Sequence, residues 1–149
     1  MRSGTAIALL LLIPLLASAA ASDEVGLISR ESAYPVAETV ERIESTLTAK
    51  GVKVFARIDH GREAASAGLD LRPTVLLIVG NPKVGTPLMD AAPTMGIDLP
   101  LRILVWQDDQ GRARVVWNDP DYLATRHGLD AAATKALAPM GGLIEAAIK

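Results

Sequence analysis

The sequence predicts an α+β fold: a single antiparallel sheet of about five strands, helices packed on one face, in the order β-α-β-β-β-β-α. Three observations predict it. One short strand near the start is followed by a clear amphipathic helix. Four β-rich runs come next, with only small helical insertions between them. The remaining helical segments gather at the C-terminal end. A sheet built this way leaves two edges and one face to protect, and a homodimer would protect both.

The N-terminus reads as a signal peptide over residues 1–19, with cleavage after Ala19 or Ala21. Met1-Arg2 gives a positive start, Ala6 to Leu16 an apolar core, and Ala17-Ser18-Ala19 the small-x-small pattern of a cleavage site. That apolar core is shorter than the ~20 residues a bilayer demands. No cysteine follows it, so a lipoprotein anchor is excluded. The expectation is an exported protein, periplasmic or secreted, with a single domain over residues 23–149 and no stable membrane anchor after cleavage.

Within that domain, Val25 and Leu27 begin a first strand. Tyr34-Pro35 opens a helix over about 35–50, with Pro35 at the first helical position. Val36, Val40, Ile43 and Leu47 recur at helical spacing and form its buried stripe. Gly51 stands where a helix end favours a left-handed residue. Val52 to Asp59 alternates, predicting a half-buried strand with Val52, Val54, Ala56 and Ile58 inward and Phe55 on the polar face. His60-Gly61 ends that strand, and Arg62 to Ala67 makes a short helical turn. Thr74-Val-Leu-Leu-Ile-Val79 is continuously apolar, which predicts a central strand covered on both faces. Thr86-Pro87 reads as a cap followed by proline at the first helical position, with Pro93 ending the helix. Leu101–Trp106 and Arg112–Asn118 flank Asp108-Asp109-Gln110-Gly111 as a hairpin. Asp119-Pro120 repeats the cap-and-proline entry, opening a helix to His127. Asp130 to Ala138 is helical, and Pro139, Gly141 and Gly142 are expected to break it before a last turn from Leu143 to Ile148.

Four stretches resemble one known family. They are Phe55-x-x-Ile58-Asp59-His60, Gly80-Asn81-Pro82-Lys83-x-Gly85-Thr86-x-Leu88-Met89, Asp98-Leu99-Pro100-Leu101 and Asn118-Asp119-Pro120-x-Tyr122-Leu123. Their order and content resemble the family called "domain of unknown function 302", over about Val25 to Lys149. The resemblance implies a TATA-binding-protein-like α+β fold class, often dimeric, with no established reaction, substrate or cofactor. A fold name of that kind carries no implication of DNA binding.

Bulk chemistry narrows the function classes. Removing Arg2 with the leader leaves 14 Lys+Arg against 17 Asp+Glu, a net charge of −3. A mildly acidic surface argues against nucleic-acid binding, whose signature is a basic face. The absence of cysteine excludes disulfides, thiol catalysis and thiolate metal sites.

The loop from Gly80 to Thr86 has two glycines, a lysine and a helix start, a setting that favours anions. It is not a P-loop, because Lys83 lies between the glycines instead of directly after the second one. Pro82 and Pro87 also remove two N–H donors. Asp59-His60 is the best acid–base pair, since histidine titrates near neutrality. It competes with a plain turn role, because neighbouring strand residues point to opposite faces. The two histidines, His60 and His127, have no metal-ligand spacing, so no metal site and no cofactor is assigned. No Gly-x-Ser-x-Gly supports a serine nucleophile. Trp106 and Trp117 on the hairpin are candidates for lining an apolar pocket or anchoring core or dimer contacts.

The leading expectation is therefore a non-enzymatic module, homodimeric, binding a small anionic or polar ligand. His60, Asn81, Lys83 and Thr86 are its candidate ligand-binding residues. One alternative is a small enzyme with His60 as general acid or base, oriented by Asp59 or Asp119. Another is a purely structural dimerisation module.

Overall fold

The computed structural model describes residues 26–149, so the signal peptide read over residues 1–19 lies outside the described residues. The predicted element order is present. Strands β1 (Leu27–Glu31), β2 (Lys53–Asp59), β3 (Thr74–Gly80), β4 (Leu101–Gln107) and β5 (Ala113–Asn118) form one sheet. It is antiparallel throughout, in the order β1-β5-β4-β3-β2. Helices α1 (Val36–Ala49) and α6 (Pro139–Ala147) cover one face. Shorter helices α2 (His60–Ser66), α3 (Pro82–Ala91), α4 (Pro120–His127) and α5 (Ala131–Thr134) sit at the strand ends.

Helix α1 buries the stripe its periodicity announces: Val36, Val40, Ile43 and Leu47, joined by Thr39. The Thr39 hydroxyl is satisfied by Ser32 Oγ at 2.7 Å and the Tyr34 carbonyl at 2.9 Å, which allows a polar side chain in the core. Arg42 on the same helix donates from Nε to the Ala147 carbonyl at 2.9 Å and so ties α1 to α6. Pro35 is the residue before the first helical one, one position earlier than expected.

Strand β3 departs from the expectation of cover on both faces. Val75, Leu77 and Val79 are buried, while Leu76 and Ile78 between them are half-buried. Cross-strand partners share a face. Leu77 pairs with Ile103, and Ile103 with Trp117, all buried under the helices. Leu76 pairs with Ile58 on one side and Leu104 on the other, and Leu104 with Val116, forming an apolar row across the opposite, open face. A continuous apolar run cannot distinguish a face covered by helices from one left open, since both are written in the same residues. Trp106 and Trp117 are likewise split between faces, so they do not line a common pocket. Trp117 is in the core and Trp106 belongs to the open face, where it pairs with Thr74 and Arg114.

Strand β2 corrects a second expectation. A bulge between Val54 and Ala56 shifts its register against β3. Phe55 is the extra residue, and beyond it every side chain changes face. Val54 pairs with buried Val79, but Ala56 and Ile58 pair with Ile78 and Leu76 on the open face. Arg57 thereby turns towards the helices and reaches Glu44 of α1 at 3.3 Å.

The hairpin turn is held by one carboxylate. Asp108 Oδ1 accepts backbone N–H bonds from Gln110 and Arg112, both 2.9 Å, and Oδ2 takes the Arg112 guanidinium at 3.0 Å. Desolvation alone would raise the Asp108 pKa. The Arg112 and Gln110 N–H bonds and the Arg112 charge outweigh it and hold the group below the ordinary 3.8. A depressed folded pKa stabilises above the unfolded value, and that contribution is lost as pH falls through the folded one. Asp108→Asn is therefore expected to be less stable than wild type at pH 7. The difference should shrink as pH falls below the ordinary carboxylate range and through the lowered folded value, as read by urea titrations across the pH range.

The C-terminal glycines do not end a helix. Pro139 occupies the first position of α6, and Gly141 and Gly142 lie inside it. A Cβ on Gly141 would stand 3.6 Å from Trp117 Nε1, an ordinary contact, so the helix passes directly beside the indole.

Candidate functional site

A cleft of about 490 Å³ opens at the end of the sheet where β2 begins, β3 ends and β4 begins. Its walls are apolar. Val52 and Phe55 come from the start of β2, Val84, Gly85 and Met89 from α3, Leu99 and Leu101 from the chain entering β4, and Leu137, Met140 and Leu143 from the C-terminal helices. The bulge that flips β2 is what frees Phe55, 44% exposed, to stand beside the cleft. Gly80 completes that wall, and a Cβ there would meet Pro100 Cβ at 3.3 Å and Phe55 Cε2 at 3.6 Å. The Leu99–Pro100 peptide beside it is cis.

Polar groups stand among these walls at Lys50, Asn81 and Thr86. Asn81 is the N-cap of α3, its Oδ1 accepting the Lys83 N–H at 2.9 Å. This places the helix start earlier than Thr86. The same asparagine-then-proline chemistry occurs at Asn81-Pro82, so Pro82 takes the first helical position and Pro87 falls inside the helix. Pro87 offers no N–H to the Lys83 carbonyl four residues back.

The candidate ligand-binding residues therefore separate. Asn81 and Thr86 line the cleft, whereas Lys83 is exposed and is not part of its lining. His60 is at the other end of the sheet. Lys53 pairs with Gly80 and Asp59 with Val75, so about six residues of strand, roughly 20 Å, lie between His60 and the loop after β3. His60 is exposed at the first position of α2 and does not face the cleft. Asp59 is the cap of α2, accepting the Arg62 N–H at 2.9 Å, and Asp119 caps α4 by accepting the Asp121 N–H at 3.0 Å. The acid–base constellation of His60 with Asp59 or Asp119, facing a cleft with Lys83, is not assembled.

The histidine that does meet a carboxylate is His127. Its Nε2 lies 2.6 Å from Asp98 Oδ2 and its Nδ1 2.9 Å from Thr94 Oγ1. Both His127 and Asp98 side chains are only 4% exposed. An ionised carboxylate accepts only, so Nε2 carries a proton and donates it. Arg126 Nε at 3.5 Å and an Arg102 guanidinium nitrogen at 3.7 Å complete the surroundings of Asp98. Both imidazole nitrogens are engaged within the protein. The cluster fastens the 3₁₀ turn Pro93–Ile97 to α4, and it holds Asp98 next to Leu99 in the cleft wall. Sequence reasoning missed this pair, since the two residues lie 29 positions apart and share no motif. Among the described residues no group of three or more His, Asp or Glu is arranged to hold a metal ion. No helix among them is long and apolar enough to cross a membrane.

Comparison with known proteins agrees with this architecture. A solved structure of an uncharacterised conserved protein from Bacillus stearothermophilus, titled DUF302, superposes with a TM-score of 0.69 over 82% of this chain and 94% of that one, at 24% identity. That likeness establishes the fold. Among curated relatives, proteins named fluoride-specific ion channel FluC 1 from Brucella suis biovar 1 and Brucella abortus biovar 1 are each 46% identical over 115 residues. The match covers 77% of this chain, but the chain spans only 45% and 43% of those two relatives. The family model described as "Domain of unknown function DUF302" matches residues 28–147, nearly all of the described chain, and the protein belongs to that family.

Proposed function

We propose that this protein is an exported, non-enzymatic module that binds a small ligand in the cleft between α3, Leu99–Leu101 and α6. The observation that carries the reading is the cleft itself. Its 490 Å³ lies within the range of small-molecule sites, and its mainly apolar lining with a few polar groups is their usual composition. The ligand's apolar body would meet the walls, and Asn81 and Thr86 would offer hydrogen bonds. Export is supported by the leader-like run from Ala6 to Leu16 and the small residues after it. The channel name of the Brucella relatives belongs to proteins more than half of whose length lies outside the match. We read the shared part as an accessory unit, one that such a protein can carry and that this chain also contains.

A thermal-shift screen of small molecules tests the reading against Gly85→Leu. A Cβ at Gly85 would meet Leu99 Cδ1 at 3.6 Å and Met89 Cε at 3.9 Å, ordinary contacts, so the larger side chain is directed into the cleft without backbone collision. Ligands are expected to raise the wild-type melting temperature by several degrees and to leave Gly85→Leu unmoved. A screen in which no compound separates the two proteins removes the proposal.

The open face favours a second copy of the chain as its cover. Ile58, Leu76, Leu104 and Val116 run in one row across it, beside Ile78 and Trp106. Five strands about 4.8 Å apart and about 20 Å long give roughly 480 Å² of footprint, so two copies bury on the order of 1,000 Å². That is about the 1,000 Å² at which an interface becomes biologically plausible, short of the roughly 1,200 Å² of the standard stable class. Leu76→Lys is expected to convert a dimer to a monomer in analytical ultracentrifugation while leaving the circular dichroism spectrum intact. A wild type that sediments as a monomer at tens of micromolar contradicts the assembly.

A further inference from the structure

We infer that the ligand of the cleft is a single acyl chain of about a dozen carbons carrying an anionic head, with the head held at Lys50; this rests on the binding reading above. Three features of the lining lead there. Lys50 is the one charged residue in it, and no carboxylate joins it, so the cleft presents positive charge alone to an occupant. The Lys50 ammonium forms no ion pair among the described residues. Asn81 uses its Oδ1 to cap α3, which leaves its amide NH₂ as donor, so the other polar groups also suit an accepting head.

The walls describe the body. They carry no charge and no aromatic ring except Phe55, and they include two methionines, Met89 and Met140, on facing helices α3 and α6. Thioether side chains adapt to a flexible chain where rigid rings would demand a fixed partner. The size sets the length. At the ~30 Å³ that one water takes in the liquid, 490 Å³ holds about 16 non-hydrogen atoms, a carboxylate of roughly twelve to fourteen carbons. The space suits one acyl chain, so the source taken is a free fatty carboxylate, with phospholipid vesicles as the control for an intact bilayer lipid.

The experiment is a displacement titration on the full mature chain. A neutral naphthylamine fluorophore reports cleft occupancy, and dodecanoate, dodecanol and dodecyltrimethylammonium compete below their micelle concentrations. Dodecanoate is expected to displace the fluorophore at about tenfold lower concentration than dodecanol, with the ammonium amphiphile weakest. Lys50→Ala should bring dodecanoate down to the dodecanol value, and Lys50→Arg should restore the difference. Gly85→Leu should abolish fluorophore binding. Thr86→Trp, at an exposed helix position on the cleft, serves as a second block should Gly85→Leu misfold. Vesicles of phosphatidylglycerol should not compete beyond their content of free acid. If the fluorophore binds in a Gly85-sensitive way but dodecanoate competes no better than dodecanol, or equally well after Lys50→Ala, the acyl-carboxylate assignment falls and the binding reading stands. If the fluorophore does not bind, or binds Gly85→Leu and Thr86→Trp as it does wild type, both fall.

Discussion

Asp98→Ala is expected to lower the stability of the domain by about 3 kcal/mol, a fall in melting temperature of roughly 10 °C. The effect comes chiefly from His127. Removing the carboxylate leaves the imidazole Nε2–H buried without an acceptor, and an unpaired buried donor costs more than the bond itself was worth. Arg102 and Arg126 contribute less, because both guanidiniums are about half exposed and are screened by water. A double-mutant cycle with His127→Ala isolates the pair and is expected to give a coupling energy above about 1 kcal/mol. Additive losses would mean that the contact does not act as a unit. Asp98→Ala should also weaken cleft ligands, since it releases the turn that holds Leu99 in the wall. Dissociation constants measured on Asp98→Ala below its melting temperature check that consequence.

Leu77→Ala is expected to cost about 3–5 kcal/mol, independent of protein concentration, because it opens a cavity in the centre of the sheet beneath α1. Leu76→Ala, one residue earlier, should cost under about 1 kcal/mol in the monomer and act mainly on the concentration-dependent part of the stability. The two side chains have the same chemistry and differ only in face. Denaturant titrations at two protein concentrations separate them. Equal, concentration-independent losses would mean that the strand is covered on both sides within one chain, against the half-buried pattern seen here.

The same pair shows where sequence reading stops. Much of what local chemistry determines was legible. Helix α1 followed from its apolar spacing, the hairpin from its turn residues, the cap at Asp119 from its side chain, and the end of α1 from the left-handed backbone that Gly51 adopts. The strand run Thr74 to Val79 was equally plain, but its two faces were not. A bulge at Phe55, one residue too many against β3, reversed half of β2 and sent Phe55 to the cleft. Pro87, read as the first residue of a helix capped by Thr86, proved to be a helix interior residue because Asn81-Pro82 had already supplied the cap.

The candidate site divides along the same line. Asn81 and Thr86 were found from the sequence because one caps α3 after β3 and the other lies a turn into that helix, both beside the cleft. His60 was drawn in by its chemistry alone, and strand register carries it to the far end of the sheet. By itself, the sequence determined the α+β order, the long amphipathic helix α1 and the family, since these depend on periodicity and on motifs read locally. Only the tertiary structure decided which histidine meets a carboxylate, which sheet face stays open and where the apolar cleft forms. Those are contacts between residues tens of positions apart, set by strand register and helix packing, and no local pattern encodes them.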